Sequence, residues 1–263
     1  MASVRPPAVA GSFYPRDPDQ LKSMVEVLLR EAPAQGDGPA PKAVIAPHAG
    51  YVYSGPVAAS AYARVLPRRG EVERVVLLGP AHTVPLGAVA TPTADAFETP
   101  LGLAPVDTTA RDALVGAGLV VLSDAAHAAE HSLEVHLPFL QTALGDVAVV
   151  PLVVGRAPAP AVAAVLDHVW GGPETLIVVS TDLSHYHDHR TAQELDRRTA
   201  AAILAKRPEG VGFGEACGAV PVQGLLTAAR QRHLDVELLD LRTSADTAGE
   251  PRRVVGYGAF ALR

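Results

Sequence analysis

Short apolar runs separated by polar stretches of helical period recur along this chain from end to end. Runs at residues 43–46, 74–78, 147–154, 176–180, 236–241 and 254–262 are brief, and most are rich in Val, Ile and Leu. Such runs have the character of strands buried on both faces, as in a parallel sheet. Between them, residues 19–30 place Leu21, Met24, Val25 and Leu28 on one helical face. Further helices are expected over 55–64, 108–116, 131–142, 160–170, 190–205 and 221–231. Pro18 with Asp19 marks the first helix start, Gly116 and Gly118 end the third, and Pro138 starts or kinks the fourth.

Alternating strands and helices argue for an α/β fold with a central, mostly parallel sheet flanked by helices. The last two strands are joined by a short link and are expected to be antiparallel neighbours. Residues 31–41, rich in Ala, Pro and Gly, read as a loop. Residues 87–105 read as an irregular hairpin that could line a pocket mouth. Neither an internal repeat nor an interdomain linker interrupts the pattern, so residues 1–263 are expected to form a single domain.

Three of the strand runs lead into a histidine: KAVIAPH into His48, RVVLLGPAH into His82 and LIVVSTDLSH into His185. Open α/β sheets bind ligands beyond the carboxyl ends of their strands. Three imidazoles delivered to that edge can converge on a metal or a proton path. Taken singly, His48 also fits a backbone-bonded structural histidine and His82 a loop histidine in solvent; the repeated design favours a site. Asp182 lies three residues before His185 and could orient its ring. His187 and His189 are expected to begin the next helix and face solvent. His131, Glu134 and His136 lie in EHSLEVHLPF. Two histidines five apart on one helix point in different directions, so these three reach one ligand only if His131 precedes the helix. A supporting polar network is the alternative. His127, His168 and His233 look bland, in an alanine-rich loop and near helix ends.

Cys217 precedes an expected helix start, where the dipole favours a thiolate that could bind metal or attack as a nucleophile. A buried small apolar residue is the other reading. As the single cysteine, it excludes an intrachain disulfide and fits a reducing cytoplasm. The composition, 48% hydrophobic and 19% charged, is that of an ordinary globular protein. Net charge is −6 and no basic run forms, which argues against nucleic-acid binding. No apolar run approaches the ~20 residues of a membrane span, and the N-terminus shows no secretory signal. Walker A, GxGxxG and GxSxG patterns are absent.

The segments AGSFYP, APHAGYVYSG, LGPAH, EHSLEVHLPFL, STDLSH, the Cys217 loop and VGYGAFAL occur in order over nearly the whole chain. Together they resemble the Memo family, whose prokaryotic members are called AmmeMemoRadiSam system protein B. The resemblance implies a fold like that of class III extradiol dioxygenases. It implies that His48, His82 and Cys217 hold a metal, that His185 acts as acid/base with Asp182 behind it, and that His131, Glu134 and His136 support the cleft. Fe(II) is the expected ion. Two imidazoles and a thiolate would also suit copper or zinc. The system name implies a radical SAM protein and an AMMECR-type protein as partners, with an unidentified small-molecule substrate.

Three functions follow. A metal-dependent oxidoreductase needs a metal at the strand-end histidines. A non-catalytic peptide- or partner-binding protein would use the same cleft as a recognition pocket. A cysteine hydrolase would need Cys217 within hydrogen-bond reach of His185.

Overall fold

Alternate side chains of the central strands point to opposite faces, and both faces are buried. The computed structural model describes residues 3–33 and 38–263. Its strands are β1 (Val4–Arg5), β2 (Ala43–Ala46), β3 (Arg74–Pro80), β4 (Val89–Thr91), β5 (Ala96–Thr99), β6 (Gly102–Pro105), β7 (Val121–Leu122), β8 (Ala148–Val154), β9 (Thr175–Ser180), β10 (His185–His187), β11 (Val236–Thr243) and β12 (Val254–Leu262). Its helices are α1 (Pro18–Glu31), α2 (Tyr51–Ala63), α3 (Thr108–Gly116), α4 (Asp124–Ala128), α5 (Leu137–Leu144), α6 (Ala159–Val169), α7 (His189–Leu204) and α8 (Ala219–Gln231).

Val44, Val75, Leu77, Val149 and Val178 pack on one side of the sheet with α1, α2 and α5. Ile45, Val76, Leu78, Val150 and Ile177 pack on the other with α6, α7 and α8. The result is a three-layer α/β/α fold. Burying each large aliphatic side chain contributes roughly 1.5–3 kcal/mol.

The main sheet runs β10-β12-β2-β9-β3-β8-β4-β7, with β11 also paired to β12. Its centre, β2-β9-β3-β8, is parallel. β12 and β4 join on either side as antiparallel neighbours, so the sheet as a whole is mixed. The closing pair β11 and β12 is antiparallel, as its short link requires.

The four central strands end at Ala46, Ser180, Pro80 and Val154 on one edge. The loops that follow therefore meet there.

Two expectations shift. The helix expected from 131 begins later: a 3-10 turn spans Glu134–His136, and α5 starts at Leu137 with Pro138 in its first turn. Proline lacks an N–H, so it suits a helix start. The hairpin within 87–105 forms as β5-β6, but pairs with β1 in a separate three-stranded sheet. Of that segment, Gly87 lines the cleft described below. The loop expected over 31–41 falls partly outside the described residues.

Candidate metal centre

His48, two residues beyond β2, and His82, two beyond β3, arrive at the same edge as His131. One ring nitrogen from each lies within 4.8 Å of the others. The ring centroids of His48 and His82 are 5.2 Å apart, and those of His82 and His131 are 4.8 Å apart and stacked. His131 does precede the turn, the condition under which it could join the others.

Hydrogen bonds fix the tautomer of His48. Ser180, at the end of β9, bonds through its Oγ to the Ser132 carbonyl at 2.7 Å, His48 Nδ1 at 2.6 Å and His136 Nε2 at 2.8 Å. A hydroxyl has one proton, and a carbonyl can only accept. Ser180 therefore donates to Ser132, and both imidazoles donate to Ser180. His48 carries its proton on Nδ1, and its Nε2 presents a bare lone pair. By the same logic His136 Nδ1 accepts from the Tyr62 hydroxyl at 2.8 Å. Burial holds His136 neutral, lowering its pKa to about 3, and burial likewise pushes His48 well below the usual imidazole range.

Glu130 braces the other two rings. Its Oε1 accepts from His82 Nδ1 at 2.9 Å and lies 3.4 Å from His131 Nδ1. The backbone N–H groups of His82, His131 and Ser132 also donate to this carboxylate. Burial opposes its charge, but the bonds from His82 and Ser132 outweigh that and lower its pKa to about 2. The bond puts a proton on Nδ1 of His82, so that Nε2 is the nitrogen that would ligate. This carboxylate–imidazole arrangement is the one that orients metal-binding histidines elsewhere. Sequence reasoning missed Glu130 and Ser180. The available signal for Glu130 was a carboxylate next to His131; Ser180 gave none beyond ending a strand.

Cys217 comes to the same place. Its Sγ is 3.4 Å from His48 Nε2 and accepts from the Asp182 N–H at 3.3 Å. Gly218 makes this approach possible. A Cβ there would lie 2.4 Å from the Ser180 carbonyl, so no side chain fits. Gly79 plays a similar part in β3, where a Cβ would meet Leu133 and Ser132 at 2.8 Å. The expected thiolate preference is not met. Burial and the nearby Asp182 carboxylate push the thiol up to about 12.

Asp182 does not orient His185. Its Oδ1 accepts the His48 backbone N–H at 2.8 Å, so it shapes the His48 loop. Burial outweighs that bond and raises its pKa to about 6. His185 Nδ1 bonds instead to the Leu183 carbonyl at 2.7 Å, which leaves its Nε2 uncommitted.

Glu134 turns away from the histidines. It is fully buried, and it ties down the N-terminal segment through Arg5, the N–H groups of Ala8 and Val9, and the Tyr14 hydroxyl. Phe13 of the same segment stands edge-on to His131 at 4.9 Å. AGSFYP is therefore the packing partner of EHSLEVH. His127 is a buried residue of α4 whose Nε2 bonds to the Ala90 carbonyl at 3.1 Å, rather than a loop residue. His187 is exposed, and His189 begins α7 with Nδ1 2.8 Å from the Thr243 hydroxyl.

A cleft of about 610 Å³ opens beside the centre, with His82 and Cys217 on its wall and Val84, Leu86, Val154 and Phe213 around them. That volume suits a small molecule.

The family model described as Memo-like protein matches residues 5–261. This chain belongs to the Memo family. A MEMO1 family protein of Methanopyrus kandleri is 39% identical, covering 98% of this chain and 99% of its own. MEMO1 family proteins of Ignicoccus hospitalis and Aquifex aeolicus are 38% and 35% identical, each match covering 97% of both chains. The solved structure of an uncharacterized Escherichia coli K12 protein, JW3007, aligns with a TM-score of 0.53 at 15% identity. It covers 82% of this chain and 98% of that one, a likeness of fold. Of the Memo segments singled out in the sequence, all but VGYGAFAL supply a residue of the histidine cluster or one that contacts it, and VGYGAFAL forms β12 beside β2. No helix among the described residues is long and apolar enough to cross a membrane.

Proposed function

We propose that this Memo-family chain binds one redox-active transition-metal ion, Fe(II) or copper, and uses it in oxidoreductase chemistry on a small molecule. The observation that carries this is the convergence of His48, His82 and His131, two of them with Nδ1 held by a buried partner. Cys217 adds a sulfur 3.4 Å from His48 Nε2. A histidine set with one soft donor fits iron, copper or zinc, and the lack of a second cysteine keeps the site from being a cluster scaffold.

When bound, the ion would supply Lewis acidity or an electron pathway. The chain's own residues do the rest. Ser180 and Glu130 hold the imidazoles in their ligating tautomers. Asp182 fixes the loop that carries His48. His185, whose Nδ1 bonds to the Leu183 carbonyl, would serve as the acid/base, the role that the Memo resemblance gives it. Any radical chemistry belongs to a partner, the radical SAM protein or the AMMECR-type protein being the candidates.

The cysteine-hydrolase alternative loses its geometry. The imidazole in reach of Cys217 is His48, and burial raises the thiol rather than activating it.

Anaerobic titration with Fe(II), Cu(I) and Zn(II), with metal counted afterwards, tests the proposal. One equivalent of Fe(II) or Cu(I), weakened in both Cys217→Ser and His131→Ala, is expected. Wild-type protein that takes up no metal, or that holds Zn(II) alone in competition, overturns it.

A further inference from the structure

Among the described residues lining the cleft, Arg156 carries the one permanent charge. Its side chain is exposed and makes no hydrogen bond or ion pair among the described residues. Elsewhere in the chain, arginines such as Arg5, Arg74, Arg232 and Arg242 are paired with carboxylates.

The backbone that carries Arg156 is fixed. Its N–H bonds to the Leu86 carbonyl at 2.7 Å, and the Gly155 N–H bonds to the Ala88 carbonyl at 2.9 Å. Gly155 lies so close to Leu86 that a Cβ would sit 1.9 Å from that carbonyl oxygen. The guanidinium is therefore presented from a rigid strand end, not from a wandering loop. Phe213 shares the cleft wall and is 66% exposed. A large aromatic left this open gains by being covered, at roughly 25 cal/mol per Å² of apolar surface removed from water. The remaining wall is almost wholly apolar, from Val84, Pro85, Leu86, Val154 and Pro221.

We infer that the cleft takes a small organic acid, with its flat apolar body against Phe213 and the Leu86 wall and its carboxylate or phosphate on Arg156. This deepens the proposed function and rests on its reading of the cleft as the substrate site. The planar guanidinium suits bidentate recognition of either acid group. The chain's net charge of −6 provides no general attraction for anions, so selectivity has to be local.

Calorimetric titration of the full-length protein, metal-loaded and metal-free, with benzoate, phenyl phosphate and benzyl alcohol tests this. Benzoate or phenyl phosphate should bind the wild type more tightly than the neutral alcohol, and the tighter of the two identifies the acid group. Arg156→Gln should weaken the preferred acid about tenfold or more while leaving the alcohol unchanged. Arg156→Lys should recover part of that loss, and Phe213→Ala should weaken all three. Equal acid binding in wild type and Arg156→Gln, or no preference over benzyl alcohol, overturns the inference. Metal content measured on the same samples separates the two claims. Arg156-dependent acid binding by a chain that holds no metal leaves the acid site standing and removes the metal centre. A loaded metal with Arg156-independent binding does the reverse.

Discussion

Ser180 has one proton and three partners, and that arithmetic decides the state of the centre. Because the Ser132 carbonyl must receive the proton, His48 has to donate from Nδ1 and expose Nε2. Ser180→Ala removes the acceptor that enforces this. We expect a folded protein whose metal affinity falls by about 10- to 100-fold, read by competition against a chelator. A competition curve that overlays the wild type contradicts the assignment. Glu130→Gln makes a parallel case on the opposite side, since one carboxylate serves both His82 and His131. It should weaken metal binding by a similar factor and speed metal loss to chelator, whereas Glu134→Gln should chiefly lower thermal stability. Glu134 ties down the N-terminal segment and touches no imidazole of the cluster through a hydrogen bond.

At the scale of elements, the centre depends on α8 standing close against the end of β9. Gly218→Ala places a methyl where the Ser180 carbonyl and Thr181 already stand. The Cys217 loop must shift, at a cost of about 1–3 kcal/mol. The expected result is a lower melting temperature and loss of sulfur-to-metal charge transfer, with imidazole binding retained. An unchanged charge-transfer band would show that Cys217 has no such dependence. The strands were legible in sequence because both faces of the central sheet are buried, so each reads as an unbroken apolar run. His48 and His82 were legible because each stands two residues past such a run. What sequence concealed was direction. His131 and His136 are five residues apart, yet one joins the histidine cluster while the other faces Ser180 and Tyr62. Asp182 looked like the partner of His185, but the turn after β9 points its carboxylate at the His48 backbone. Those outcomes depend on loop geometry and on contacts between residues 44 to 134 positions apart, which local pattern does not encode.

Across the whole molecule, the buried histidines make the metal-free fold sensitive to acid. The pKa of His136 lies at about 3 in the fold against 6.5 in the open chain, and that of His127 at about 4. Both are depressed, so stability is full above about 6.5 and falls as pH drops, because the unfolded chain takes up protons first. Glu130, depressed from 4.5 to about 2, adds a loss of the same sign at lower pH. Asp182, raised to about 6, opposes this trend, but the depressed histidines outnumber it, so the melting temperature of metal-free protein should decline from pH 7 to pH 4. The slope should be shallower in His136→Gln, whatever its absolute stability. A slope equal to that of the wild type would remove His136 from the explanation. The central claim concerns the layout that these residues maintain: three imidazoles and one sulfur at the carboxyl edge of the sheet's parallel centre. X-ray absorption at the metal edge of anaerobically loaded protein tests it most directly. The account predicts imidazole multiple scattering with a single sulfur at roughly 2.3 Å, the sulfur vanishing in Cys217→Ser. A first shell of oxygen alone, without imidazole, would contradict it.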